Sequence, residues 1–465
     1  MEITFLGGTQ TVTGSQHLLS VGGKKILIEC GLFQGRRQDS YEKNLSFSFD
    51  PAHIDACVLT HAHIDHSGNL PNLVKNGFSG PIYATPPTVD LCRIMLKDSG
   101  HIQEKDIEWL NKIRKKQHKS PLIPLYTMRD AEAACSQFVG IEYNTTVTIA
   151  PGVEVRFLEG GHILGSASIH FFITEDGATM HVEYAGDIGR TNKPIIHDPN
   201  LPRDLDMLIM ESTYGNRLHD PADDVHEQFA RIIRETSASG GKLIIPAFAV
   251  GRTQELVHTL HKLYNQNRIP DIPVFVDSPL AYHATGVFRN HPECFDRETA
   301  RIFTRDGEDP FEFRRLKYIT EVNDSKRLNS LDYPHIIISA SGMAEAGRIL
   351  HHLRNNIENH RTVILFVGHA VKETLARKIM DGQKEIKIFG EKHIVRAQVK
   401  MLGTFSAHAD RKDLLDYVKY CPPSRLKHVF LVHGELEQAR ALKNALQSKG
   451  YENVHIPESG ETASF

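Results

Sequence analysis

The chain has no CxxC pair; its six cysteines (Cys30, Cys57, Cys92, Cys135, Cys294 and Cys421) are scattered along 465 residues. That excludes a thiolate zinc cluster recognisable by spacing, and it fits reduced thiols in a cytoplasmic protein. No basic segment leading into an apolar stretch opens the sequence, so no secretory signal is expected. The longest apolar runs, such as Leu243 to Val250, are too short to span a bilayer, and no membrane partner is expected. An excess of positive charge is also missing. Lysine and arginine total 54 against 57 aspartates and glutamates, a formal net charge of −3. Any nucleic-acid substrate must therefore be held by a local positive site rather than a basic face. The glycine-rich start, Gly7-Gly8-Thr9 to Gly14-Ser15, lacks the GK[ST] ending of a phosphate-binding P-loop and reads as a loop near a site. Repeats, low-complexity tracts and disordered linkers are absent.

Histidine is plentiful, at 27 residues, which suggests metal chemistry without deciding it. With 40% hydrophobic and 24% charged residues, a chain of this length suits two globular domains. Early segments read as strands, Lys24 to Glu29 and Ala56 to Thr60 among them, with a helical pattern from Thr88 to Lys119. The basic run at its end, Lys112 to Lys119, reads as a solvated helix face. Short strands return between Thr146 and Asp187. A helix is then expected with Asp220 as N-cap, Pro221 at its first position, and an apolar stripe of Val225, Phe229, Ile232 and Ile233. Strands at Leu243 and near Pro273, Pro334 and Thr362, each followed by a helical pattern, argue for a doubly wound α/β module. Further strands are expected at Ile386–Phe389 and Ile394–Val399. Glu29, His61, Asp187, Glu211 and His433 each sit at or just past the end of an apolar strand, the edge where layered α/β folds bind ligands.

The strongest local signal is His61-Ala62-His63-Ile64-Asp65-His66, directly after Val58-Leu59-Thr60. His61 and His63, two apart on an extended segment, point to one side, while Asp65 and His66 follow a bend and can serve a second metal. Three imidazoles and a carboxylate in six residues are costly to bury unless a cation gathers them. The run resembles the HxHxDH signature of the metallo-β-lactamase superfamily. Gly161-His162-Ile163-Leu164-Gly165-Ser166-Ala167 and Ala185-Gly186-Asp187 are similar to its next two metal motifs. Met210-Glu211-Ser212-Thr213-Tyr214-Gly215, Phe405-Ser406-Ala407-His408-Ala409-Asp410 and Val432-His433-Gly434-Glu435 resemble motifs A, B and C of the β-CASP nucleases. Pro246-Ala247-Phe248-Ala249-Val250-Gly251-Arg252 and Ser339-Ala340-Ser341-Gly342-Met343 look like that family's inserted domain. The motifs cover nearly the whole chain in the expected order, closest in pattern to bacterial and archaeal ribonucleases similar to the cleavage-and-polyadenylation endonuclease subunit.

The resemblance implies a metallo-β-lactamase αββα sandwich (residues 1–211 and 395–465) with an inserted doubly wound α/β β-CASP domain (residues 212–394). It implies two zinc ions, one on His61, His63, His162 and Asp187, the other on Asp65, His66, Asp187 and His433. An all-nitrogen-and-oxygen donor set would also accept manganese or iron. Two dications set against Asp65, Asp187 and a hydroxide leave a net charge of about +1, suited to a phosphodiester. Asp65, Glu211 and His408 are the candidate catalytic residues: His408 would protonate the leaving oxygen and Glu211 would orient it. Ser339, Ser341 and Gly342, between a strand and a helix expected near Ala344, could cradle a phosphate of single-stranded RNA. The implied activity is two-metal hydrolysis of RNA, endonucleolytic, leaving 5′-phosphate and 3′-hydroxyl ends. The alternatives are a DNA nuclease of the same fold and a non-catalytic RNA-processing scaffold. Two departures from the family pattern stand out. Glu29 replaces the usual aspartate behind the histidine loop, and Gly368 to Ala376 has lost glycines of a run expected to shape the RNA channel.

Overall fold

Alternation of apolar side chains along short strands builds two sheets that share one core. Ile3, Phe5, Leu19, Val21, Ile26 and Ile28 of one sheet pack with Val155, Phe157, Ile169, Phe171, Ile209 and Phe430 of the other, all buried. Fully burying a side chain of this size stabilises the fold by roughly 1.5–3 kcal/mol. These features belong to a computed structural model that describes every residue except Arg36, residues 220–224, Asp306, His369, Lys372, Thr404 and Phe405, and the side chains of Arg37 and Gln38. The expected cap at Asp220 and Pro221, and parts of the 368–376 run and of motif B, lie outside the described residues.

The first sheet runs in the order Glu461–Ser464, Glu2–Gly7, Gln16–Val21, Lys24–Ile28, Ala56–Val58, Ile82–Ala84, Phe138–Gly140. The second runs Val454–His455, His428–Val432, Met207–Glu211, Ala178–Tyr184, Ala167–Glu175, Val153–Glu159, Thr146–Ala150. On the far side of the second sheet, Leu208, Met210, Val429 and Leu431 pack on Leu414, Tyr417 and Val418 of the helix Arg411–Val418 and on Leu442 and Leu446 of the helix Leu436–Gln447. Pairing in the middle of both sheets is parallel, with Ile28 opposite Val58 and Glu211 opposite Val432, so several strands end together at one rim.

Two compact units emerge, Met1–Lys193 with His197–Leu218 and Ala407–Phe465, and Pro194–Ile196 with His219–Ser406. The second unit extends past the expected limit at residue 394. No single strand covers 394–399: Glu391–Ile394 pairs with Glu385–Ile388, and Gln398–Met401 joins Val363–Phe366 as an edge strand. Its six-stranded sheet is wholly parallel, in the order Leu316–Tyr318, Val274–Asp277, His335–Ser339, Lys242–Pro246, Val363–Phe366, Gln398–Met401. The chain leaves Pro246 toward one edge of this sheet and leaves Ser339 toward the other. Right-handed crossovers then place the connections on opposite faces, and the adjacent ends of these two strands become the topological switch point. Among the described residues no helix is long and apolar enough to cross a membrane.

Candidate metal centre

The six-residue histidine motif folds as its spacing predicts. His61 and His63 lie on an extended stretch after Val58, and Ile64 begins a single helical turn, Ile64–Ser67, that carries Asp65 and His66. Neighbouring backbone holds this loop closely. Ser15 N–H donates to the Asp65 carbonyl at 2.9 Å, and a Cβ on Gly31 would lie 1.7 Å from that same oxygen, so only glycine fits there. The loops bearing His162 and Asp187 meet in the same way, since a Cβ on Gly189 would lie 1.8 Å from the Gly161 carbonyl.

Four donors converge first: His61 Nε2 and His63 Nδ1 are 3.1 Å apart, and His162 Nε2 is 3.2 Å from the same His63 nitrogen. Asp187 Oδ2 stands 3.5 Å from His61 Nε2 and 3.4 Å from His162 Nε2. A second group shares the other oxygen of Asp187. His66 Nε2 is 3.4 Å and His433 Nδ1 3.2 Å from Asp187 Oδ1. His433 Nε2 is 3.2 Å from His66 Nε2 and 3.5 Å from Asp65 Oδ2. His433 thus offers one ring nitrogen to Asp187 and the other to His66 and Asp65.

These residues fit a metal pair. Donors about 2.0–2.1 Å from a tetrahedral cation stand roughly 3.3 Å apart, which is the spacing seen. Hydrogen bonding alone does not account for the arrangement. A ring nitrogen offers one hydrogen or one lone pair, so His63 Nδ1 can satisfy only one of its two imidazole neighbours. Asp187 Oδ1 is buried without a hydrogen bond. Burial holds His63 down to about 3 and keeps His61 and His162 below their ordinary values, so all three present neutral rings of the kind a metal takes. Burial opposes the charge of Asp187, but His433, His66 and His408 outweigh it and keep the carboxylate ionised.

Several residues orient the ligands. Thr60 Oγ1 is 2.9 Å from His61 Nδ1, and Thr213 Oγ1 is 3.3 Å from His433 Nδ1. Sequence reasoning gave neither threonine a role, although Thr60 adjoins the histidine motif and Thr213 lies within motif A. Glu29, fully buried and with its backbone at φ +62°, uses its full length: one oxygen accepts from Thr60 N–H at 2.6 Å and the other faces His66 Nδ1 at 2.6 Å. Against the cost of burial, Asp187 and Glu29 raise the His66 pKa well above its ordinary value. Glu29→Gln keeps the length but sets a donor against a donor at one of the two contacts. We expect it to lower metal affinity by roughly 10- to 100-fold, read by competition with a chromophoric chelator. Unchanged affinity would show that Glu29 does not govern the His66 ring.

Beside the donors lies the pair expected for proton transfer. His408 Nδ1 is 3.2 and 3.1 Å from the two oxygens of Glu211, which is wholly buried and also accepts from Ile188 N–H at 2.7 Å. His408 is held in place by Ala409 N–H, which donates to the Ile188 carbonyl at 2.7 Å. Burial disfavours its charged form, yet the Glu211, Asp187 and Asp65 carboxylates push its pKa up to about 9. Glu211, His408 and the seven expected metal ligands, Asp65 among them, therefore all come together in the first unit.

Ser339, Ser341 and Gly342 lie in the second unit, at its switch point. Ser339 is buried and its hydroxyl donates to the Asp277 carbonyl at 2.9 Å, which commits it to the fold. Ser341 and Gly342 are half-buried in the turn beyond it, with Gly342 packed against Phe248. The helix after this turn begins at Ile349, not near Ala344. Left-handed backbone at Ala344 (φ +54°) and Gly347 (φ +82°) keeps the turn from being helical before that point, and the Arg348 guanidinium reaches back to Asp277 and to the carbonyls of Ile319 and Thr320.

Family models match in three places: the metallo-β-lactamase superfamily over residues 11–230, the β-CASP domain over 253–379, and a Zn-dependent metallo-hydrolase RNA specificity domain over 392–457. The chain is 34% identical to Ribonuclease TTHA0252 of Thermus thermophilus over 461 residues, 99% of each chain. It is 31% identical to the transcription termination factor FttA of Methanocaldococcus jannaschii, over 98% of this chain and 70% of that one. A solved protein of unknown function from Enterococcus faecalis shares the fold, with a TM-score of 0.57 at 13% identity over 99% of both chains. The three matching family models in order and its likeness to these relatives along its whole length place this chain in the β-CASP family of the metallo-β-lactamase superfamily.

Proposed function

We propose that the protein is a cytoplasmic endoribonuclease that hydrolyses single-stranded RNA with two zinc ions, leaving 5′-phosphate and 3′-hydroxyl ends. The relatives support a nuclease role, and the metallo-hydrolase family and clustered donors support divalent-metal binding. The observation that carries the finer reading is the sharing of Asp187, whose two oxygens face separate donor groups while Glu211 and His408 stand beside them. When bound, two divalent cations would lower the pKa of the attacking water and stabilise charge on the phosphoryl oxygens.

The chain's own residues supply the rest. His61, His63, His162 and Asp187 would hold one ion, and Asp65, His66, Asp187 and His433 the other. His408, kept protonated by Glu211, donates its proton to the departing 3′-oxygen, which leaves the phosphate on the 5′ side of the downstream fragment. Glu211 keeps the ring turned through its two contacts to Nδ1, which assigns proton donation to Nε2. Ser341 and Gly342 are the accessible part of a cradle for a backbone phosphate at the switch point, with Ser339 supporting the turn from beneath.

The test is metal content together with cleavage of end-labelled and internally labelled RNA and DNA by the full chain. Two zinc ions per chain and internal cuts in RNA carrying 5′-phosphates are expected. A chain that holds both ions and cuts only DNA would overturn the substrate, and one that binds RNA without cutting it would be a scaffold.

A further inference from the structure

The helix Pro86–Lys116 is 31 residues long, and it leaves the core partway along: beyond Gly100 none of its residues is fully buried. Trp109, the only tryptophan in the chain, sits on this outer half with 58% of its surface exposed. Lys105, Trp109, Lys112 and Lys116 follow at helical spacing and share one stripe. From Trp109 to Lys119 there are five cations and no carboxylate, in a chain whose net charge is −3. Lys112, Lys115 and Lys116 make no ion pair among the described residues. Cations near a helix C-terminus also answer the helix dipole, but the dipole gives no reason for an exposed indole one and a half turns or more from that end.

This outer half is held in place. Asn111 grips the returning chain twice, its side chain bonding Leu122 O at 2.9 Å and Leu122 N at 2.8 Å, and Arg114 donates to Ser120 O at 2.7 Å. The other end of the helix is tied to the metal centre. Thr85 and Thr88 hydroxyls donate at 2.6 and 2.8 Å to the carbonyl of Gly165, in the loop that carries His162. At 1.5 Å per residue, Trp109 lies about 32 Å along the axis from Thr88, within the span of an extended RNA strand of moderate length.

We propose that this outer helix is a docking surface for single-stranded RNA outside the metal centre, a base stacking on Trp109 while backbone phosphates meet Lys112, Lys115 and Lys116. The proposal rests on the reading of the protein as a ribonuclease. An indole is a stacking platform for any base, and unpaired lysines at one helical repeat suit a flexible polyanion. A membrane surface fits less well, because Glu104, Asp106 and Glu108 interrupt the apolar positions Ile102 and Trp109.

The single tryptophan makes the test direct. A long uridine homopolymer is titrated into the full-length His408→Ala chain, which retains the RNA, and indole emission is followed. Saturable quenching is expected. Trp109→Ala should weaken binding of labelled RNA by roughly five- to a hundredfold, with Trp109→Phe restoring most of it. Lys112→Gln, Lys115→Gln and Lys116→Gln combined should flatten the dependence of log K on log salt by about 2. RNA that binds with indole emission and both sets of variants unchanged overturns the proposal. So does emission that answers to anionic vesicles or to a protein partner but not to RNA. Quenching by RNA that the wild-type chain does not cleave would instead sink the nuclease reading and leave this surface standing.

Discussion

Replacing Asp187 by asparagine is expected to cost the protein both proposed cations and at least about 10³-fold in rate, the scale of several kcal/mol of lost charge stabilisation. The side chain keeps its shape, so the change isolates charge. Asp187 is the one described residue whose oxygens face both donor groups, at 3.4–3.5 Å on one side and 3.2–3.4 Å on the other. Without its charge the imidazoles remain, but no anion joins them, and the amide nitrogen must face one set of ring nitrogens. Metal analysis after gel filtration and the single-turnover rate on one RNA would check this. A variant that kept two ions and its full rate would remove Asp187 from the centre.

His408→Ala is the second large effect, an expected loss of roughly 10²- to 10⁴-fold in kcat. The pH profile tells an acid from a structural residue. In the proposed role His408 acts in its protonated form, and the Glu211, Asp187 and Asp65 carboxylates overcome the cost of burial to push its pKa up to about 9. Activity should therefore be retained below this value and fall as pH rises through it. Cations bound to Asp187 compete for the same negative charge and move the limb lower still. Glu211→Gln removes one of the supporting charges, so its alkaline limb should appear at lower pH than that of the wild type. A substrate with a good leaving group gives an independent reading. Uridine 5′-(p-nitrophenyl phosphate) releases a phenolate that needs no proton, so His408→Ala should lose far less on it than on RNA. Equal losses on both substrates would mean that His408 does not supply the proton.

Much of this centre was legible before any fold was known. The run from His61 to His66 states its own geometry, because a spacing of two on an extended segment and a turn before Asp65 leave little freedom. His162, Asp187 and His433 were harder to read. Each is a lone residue, Asp187 and His433 past apolar strands and His162 in a glycine-flanked run, and only the resemblance joined them to the first motif. Glu29 stood out in the sequence as a departure, but its link to both Thr60 and His66 depends on a backbone turned to φ +62° that no local pattern announces. Thr60 escaped notice because a threonine beside a histidine is unremarkable until the ring is fixed, and Thr213 because it meets His433, 220 residues away, only in the fold. Ser339 was singled out for its place before a turn, and only the fold shows that its hydroxyl donates to the Asp277 carbonyl of the neighbouring strand.

By itself, the order of residues determined which side chains could bind metal, because ligand chemistry and short-range spacing are local properties of the chain. It also determined the element types, since strand and helix periodicities are written in the apolar positions. Tertiary structure alone decided that Asp187 turns one oxygen to each donor group, that Glu211 lies under His408, and that the edge strand Gln398–Met401 belongs to the second unit. Those outcomes depend on parallel pairing between strands hundreds of residues apart, such as Met207–Glu211 with His428–Val432. Such pairing follows from the burial of two whole sheets against each other, and no short window of sequence contains it.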